Sequence, residues 1–260
     1  MSLTKLIWQP SGSNTRVKNE TCNNILEIID GSIDKKEKEK EKRKYLGASS
    51  LGDPCSRKIQ YRYMGEKPDV ENPFSPKILR IFEFGHVIED MAHGWIYNAG
   101  FDLRSTDKNG KQYGFSIADD QIKGHIDGVI CDGPVDMAYP ALWECKSAND
   151  KSFNEYVRKG VAEVYPVYAA QVALYQAYMN LNNPALFTVV NKNTCEIYFE
   201  LIPFNSMLAQ QISDKAVDIL NAVKHNEILP RIAVNSDYYM CKRCEFRKKC
   251  WELQNESIAV

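Results

Sequence analysis

The sequence predicts an α/β (α+β) domain with a mixed central sheet flanked by helices. Three observations predict it. Segments with helical spacing of apolar residues alternate with strand-like segments in the order helix, three strands, helix, two strands, helix. Glycine and proline punctuate the boundaries, as at Gly100, Gly133–Pro134 and Pro166. Apolar content is ordinary for a globular protein, and no internal repeat is apparent in the 260 residues.

Residues 1–46 read as an N-terminal extension. Its stretch DKKEKEKEKRK, from Asp34 to Lys44, suits a solvated helix or a mobile linker, with nucleic-acid contact as the alternative. LGASSLGDPCSRKIQYRYMG then predicts a turn and a short helix from about Pro54. Ser75 caps a helix running to about Asn98, with Pro76 in its first turn and Gly100 as its stop. QYGFSIADD and QIKGHIDGVICDG are neighbouring strands joined at Asp119–Asp120, and ALWECKS is the next strand after the Gly133–Pro134 turn. Helical patterns follow at about 151–160 and 166–182. ALFTVVNKNTCEIYFELI predicts a hairpin turning around Asn191–Thr194, and a long amphipathic helix spans about Asn205 to His225.

Composition excludes several classes. No apolar run is long enough for a transmembrane helix, so no membrane partner is expected. The N-terminus lacks a basic flank followed by an apolar stretch, which points to an intracellular, cytoplasmic protein. Eight cysteines in such a compartment are not expected to form disulfides. The net charge of −1 gives no overall basic excess, so contact with nucleic acid must rest on local patches and on metal ions that offset carboxylates.

Glu144 and Lys146 in Trp143-Glu144-Cys145-Lys146-Ser147 point to one face of a strand, with Cys145 on the other. Asp127 lies in GHIDGVI, whose apolar neighbours Ile126, Val129 and Ile130 predict a largely buried strand. A carboxylate there is costly unless it is paired or metal-bound. Two carboxylates on adjacent strands make a hard-oxygen site suited to Mg²⁺ or Mn²⁺. A divalent ion activates water and relieves charge on a phosphodiester, and Lys146 adds a positive donor beside it.

Asp127…Glu144-x-Lys146 resembles the PD-(D/E)xK nuclease motif, with Ile126 where the motif name has proline. Gly85-His86-Val87-Ile88-Glu89 on a helix, and Gln171-Val172-Ala173-Leu174-Tyr175, which is similar to a QxxxY motif, resemble the RecB-like branch of that superfamily. The resemblance implies a restriction-endonuclease-like core over 47–251. It implies metal ligation by His86, Asp127, Glu144 and the backbone carbonyl of Cys145, with Asp127, Glu144 and Lys146 catalytic. Gln171 and Tyr175, i and i+4 on one helical face that Tyr168 extends, would contact DNA or orient Lys146. His93 and His125 are read as structural.

Cys241-x-x-Cys244 followed by Cys250 supplies three soft ligands, which suit Zn²⁺ or an iron–sulfur cluster. Cys55, opening a short helix ahead of the core, is the candidate fourth. A distant first cysteine closing on a C-terminal trio resembles the clasp of CRISPR-associated exonucleases and AddB-type subunits. That implies a 4Fe-4S cluster held by the segments 49–65 and 238–251, with zinc as the competing occupant. Lys242, Arg243, Arg247, Lys248 and Lys249 form a basic patch, either a phosphate-binding surface or a solvated one. Residues 252–260 are read as a tail.

The expectation is therefore a Mg²⁺- or Mn²⁺-dependent DNA exonuclease acting on ends or single strands, with recombination or CRISPR-adaptation proteins as partners. Two rivals stand beside it: a non-cleaving DNA-binding or complex-forming relative of such nucleases, and a zinc-stabilised interaction module.

Overall fold

The computed structural model describes residues 19–41, 43–70 and 74–252. Residues 1–18 and 42 of the expected extension, and 253–260 of the expected tail, lie outside them. Helix α1 (Glu20–Glu39) starts at Asn19, whose side chain accepts the Thr21 N–H at 2.9 Å, and it buries none of its residues. The charged run that begins at Asp34 therefore continues a solvated helix. Strand β1 (Leu46–Gly47) and the short helices α2 (Ala48–Leu51) and α3 (Ser56–Tyr63) lead to α4 (Pro76–Asn98), which begins after Ser75 with Pro76 in its first turn, as expected. The pairs Arg80–Asp30 and Lys36–Glu83 tie α1 to α4.

Four strands follow: β2 (Leu103–Arg104), β3 (Gly114–Ile117), β4 (Ile122–His125) and β5 (Gly128–Ile130). Then come β6 (Ala141–Ala148), α5 (Asp150–Lys159), α6 (Val161–Val164), α7 (Pro166–Tyr178), β7 (Ala185–Asn191), β8 (Ile197–Ile202), α8 (Ser206–Lys224), α9 (Tyr239–Lys242) and α10 (Arg247–Glu252). No described helix is long and apolar enough to cross a membrane.

The strands form two sheets, ordered β1-β4-β3 and β2-β5-β6-β7-β8. Pairing is parallel for β1–β4 and β6–β7 and antiparallel elsewhere, so the architecture is mixed, as the sequence predicts. One expected strand is corrected. QIKGHIDGVICDG is not continuous: it breaks at Ile126–Asp127, and its halves β4 and β5 belong to different sheets. Glycines flank the break and permit close packing on either side of it. A β-carbon on Gly124 would sit 2.6 Å from the Phe115 ring and 2.7 Å from the Tyr175 ring, and one on Gly128 would meet Leu103 at 2.7 Å. Only glycine allows these close approaches.

Strand β6 is the spine of the core. Leu142 and Ala148 pack with Phe187 and Val189 of β7 and with the inner faces of α7 and α8. Trp143 and Cys145 on its other face pack with Ile88, Ala92 and Ile96 of α4. Period-2 alternation thus sends the even-numbered residues of β6 toward α7 and the odd-numbered ones toward α4.

Candidate active site

The break at Asp127 and the register of β6 build the site together. Gly128 pairs with Trp143, so Asp127 stands opposite Glu144, one step beyond the ladder. The Cys145 N–H donates to Asp127 Oδ2 at 2.8 Å, which fixes that carboxylate against the strand carrying Glu144 and Lys146. Glu144 is fully buried, and its Oε1 accepts from Lys146 Nζ and from Gln171 Nε2, the latter at 2.8 Å. Gln171 Nε2 also lies 3.1 Å from Tyr175 Oη. The Gln171–Tyr175 pair on α7 therefore holds Glu144, and Lys146 only through it. The ring facing the lysine is Tyr168, with Lys146 Nζ 5.2 Å from its centroid.

Glu89 is the residue the sequence reading missed. It lies on α4 beside Asp127, whose charge acts on its carboxyl. His86, the expected helical ligand, is one turn earlier with an 80 % exposed side chain, and its Nδ1 is 3.8 Å from Glu89 Oε2. The available signal was an acid three residues after His86, on the same side of a helix rich in apolar residues. His93 lies deeper, its ring 5.9 Å from that of Trp143, and His125 is exposed at the end of β4.

Electrostatics makes this a strained cluster. Burial, then the neighbouring Asp127 charge, pushes the Glu144 carboxyl up to about 8 despite Lys146. Burial and Asp127 raise Glu89 to about 7. Burial alone would lower Lys146, but Glu144 and Asp127 hold its ammonium above its ordinary range. Three carboxylates face one lysine, an excess of negative charge that a cation would relieve. The buried Glu144 Oε2 has no hydrogen-bond partner. An unpartnered buried acceptor beside an acidic cluster suits a hard divalent ion. Among the described residues no group of three or more histidine, cysteine, aspartate or glutamate side chains is disposed to hold a metal ion.

No protein-family model matches the chain, and no curated protein matches it. Solved structures do. An alkaline exonuclease, LHK-Exo from Laribacter hongkongensis, aligns with a TM-score of 0.51 at 13 % identity, over 77 % of this chain and 93 % of that one. The likeness is one of fold. A structure of LHK-Exo in complex with dAMP aligns with a TM-score of 0.49 at 15 % identity, over 70 % and 89 %. The structure of SSO0001 aligns with a TM-score of 0.46 at 14 % identity, over 85 % and 94 %.

The four clasp cysteines meet, although they do not reach ligating geometry. Cys55, Cys241, Cys244 and Cys250 line one cavity together with Arg57, Arg231 and Arg247. Burial pushes the Cys55 and Cys244 thiols up. Arg57 Nη1 lies 3.6 Å from Cys250 Sγ. Four soft donors in a cation-lined cavity suit a thiolate-bound centre in donor type and charge. The tail that brings three of them is stitched down by other contacts. Asp69 accepts the Lys248 N–H at 2.7 Å, Arg62 pairs with Glu245, and the Tyr61 and Phe246 rings meet edge-on at 5.4 Å. The same contacts thin the basic patch. Lys249 pairs with Glu66 and Arg247 lies 3.9 Å from Asp237, whereas Arg243 and Lys248 remain exposed.

Proposed function

We propose that this chain is a divalent-metal-dependent DNA nuclease whose catalytic domain spans 47–251 and acts on DNA ends or single strands. The observation that carries the reading is the unpartnered Glu144 Oε2, fully buried beside Asp127, Glu89 and Lys146. Such an atom is costly in a purely structural core. The exonuclease-like fold is consistent with this reading, and the motif order His86, Asp127, Glu144, Lys146, Gln171, Tyr175 supports it.

Asp127, Glu144, His86 and the Cys145 carbonyl would hold Mg²⁺ or Mn²⁺. Bound there, the ion would act as a Lewis acid on the phosphate and lower the pKa of water. The chain's own residues do the rest. Lys146 presents a fixed positive charge to the phosphate oxygens or the attacking water. Gln171 and Tyr175 hold Glu144, Tyr168 supports the lysine through its ring face, and Glu89 braces Asp127. Cys55, Cys241, Cys244 and Cys250 would carry a 4Fe-4S cluster rather than zinc. Visible absorption near about 400 nm distinguishes the two, because thiolate-bound clusters are coloured and zinc is not.

The test is a time course on end-labelled single- and double-stranded DNA with Mg²⁺ or Mn²⁺. The expected result is metal-dependent shortening from an end. Intact strands at all times and with either metal would overturn the reading.

A further inference from the structure

We propose that Phe82, braced by Phe74, is a base-stacking subsite that selects unpaired nucleotides beside the carboxylate site. The inference rests on the nuclease reading above and adds to it how the strand is recognised.

The geometry comes from α4. His93 lies against Trp143 near the start of β6, Glu89 reaches Asp127, and a β-carbon on Gly85 would lie 3.6 Å from Ser147 Oγ at the end of that strand. Helix α4 thus runs antiparallel to β6, and its first turns project past the Ser147 end of that strand, one to two helical turns beyond the level of Glu89 and the carboxylates. Phe82 and Glu89 are seven residues apart, two turns, so they share nearly one line on the helix. At 1.5 Å per residue, Phe82 sits about 10 Å further out along the axis. Exposure rises along this stripe: His93 is partly buried, the Glu89 side chain is 29 % exposed, and Phe82 is 48 % exposed.

A half-exposed phenylalanine costs solvation unless something covers it. Phe74 covers part of the ring, with centroids 5.2 Å apart at 78°. That edge-on contact fixes the ring's orientation and leaves ring surface open. The occupant we assign is a nucleobase of the strand whose phosphate lies at the carboxylates. The ring shares a line with Glu89 and lies a nucleotide or two away. Aromatic rings take bases of any sequence, but only bases freed from a duplex. A site so equipped favours frayed ends and single strands over intact duplex.

The experiment compares the full-length wild type with Phe82→Leu and Phe82→Trp on a single-stranded oligonucleotide and on the same strand with abasic positions near its end. Quenching of 2-aminopurine placed near the end reports stacking directly. Phe82→Leu is expected to lower kcat/KM on the ordinary strand about ten-fold, mainly through KM, and to abolish the quench. Phe82→Trp should retain both. On the abasic strand wild type and Phe82→Leu should be equal, which a merely structural role for Phe82 does not produce. Equal rates on the ordinary strand, or an equal loss on both strands, overturn the subsite and leave the nuclease reading standing. A wild type that neither binds nor cleaves DNA with Mg²⁺ or Mn²⁺ overturns both.

Discussion

The carboxylate cluster and the cysteine cavity are both candidate metal centres, and they are built in opposite ways. The first is made from the core itself. Glu144 and Lys146 belong to a central strand, Gln171 and Tyr175 to a helix packed on it, and Asp127 to the break between two sheets. Its charges are unbalanced and one buried oxygen has no partner. The second joins Cys55 to cysteines more than 180 residues later, in a cavity that arginines also line. Its scaffold is satisfied: Asp69, Arg62 and Arg231 already bond the tail, and Arg231 stacks 4.3 Å over Trp251. The core site is held rigidly but lacks charge balance. The cysteine cavity is lined by arginines and held by contacts that do not involve sulfur.

The largest expected effect tests the first half of that contrast. Lys146→Ala should lower single-turnover cleavage by about three orders of magnitude, the scale of losing a key charge donor, while circular dichroism stays unchanged. An active alanine variant would remove the lysine from the mechanism. Glu89→Gln should cost about 10- to 100-fold in activity or in the metal concentration required, as for groups that orient ligands. A wild-type metal titration curve in that variant would make Glu89 a bystander.

For the clasp, Cys55→Ser should remove visible absorption and lower the melting temperature. Limited proteolysis should still find the tail docked, because the contacts of Asp69, Arg62 and Tyr61 do not involve sulfur. Immediate cleavage near 240–250 would show that the centre, and not these contacts, holds the tail.

A smaller effect concerns pH. Glu144 at about 8 and Glu89 at about 7 are raised above the ordinary carboxylate value, so the fold favours their protonated forms. With divalent metal withheld, that stability is fully present below about pH 4.5 and is lost as pH rises through 7 to 8. The melting temperature should therefore fall across this window, and Mg²⁺ should restore it at pH 8. A melting temperature that rises with pH in the absence of metal would contradict the strained-carboxylate account.

Much of this was legible in the sequence because it is local. Ser75 and Pro76 mark the start of α4, a short apolar run marks β7 and alternation marks β8, and the Glu144-x-Lys146 spacing places both groups on one face. The rest depends on contacts between distant segments. Strands β1 and β2 have two residues each, too short for a periodicity to register. The break at Asp127 falls inside what reads as one strand, and only the flanking Gly124 and Gly128 hint at it. The role of Glu89 follows from the antiparallel packing of α4 on β6; its spacing from His86 shows a shared helical side but not that the side meets Asp127. Likewise, the spacing of Gln171 and Tyr175 shows a shared face but not that the face meets Glu144.

The most direct measurement is a Mn²⁺ titration followed by electron paramagnetic resonance on wild type, Asp127→Asn and Glu144→Gln. The account expects one site per wild-type chain, lost or strongly weakened in both variants, with cleavage lost in parallel. Undiminished Mn²⁺ binding by either variant would contradict it.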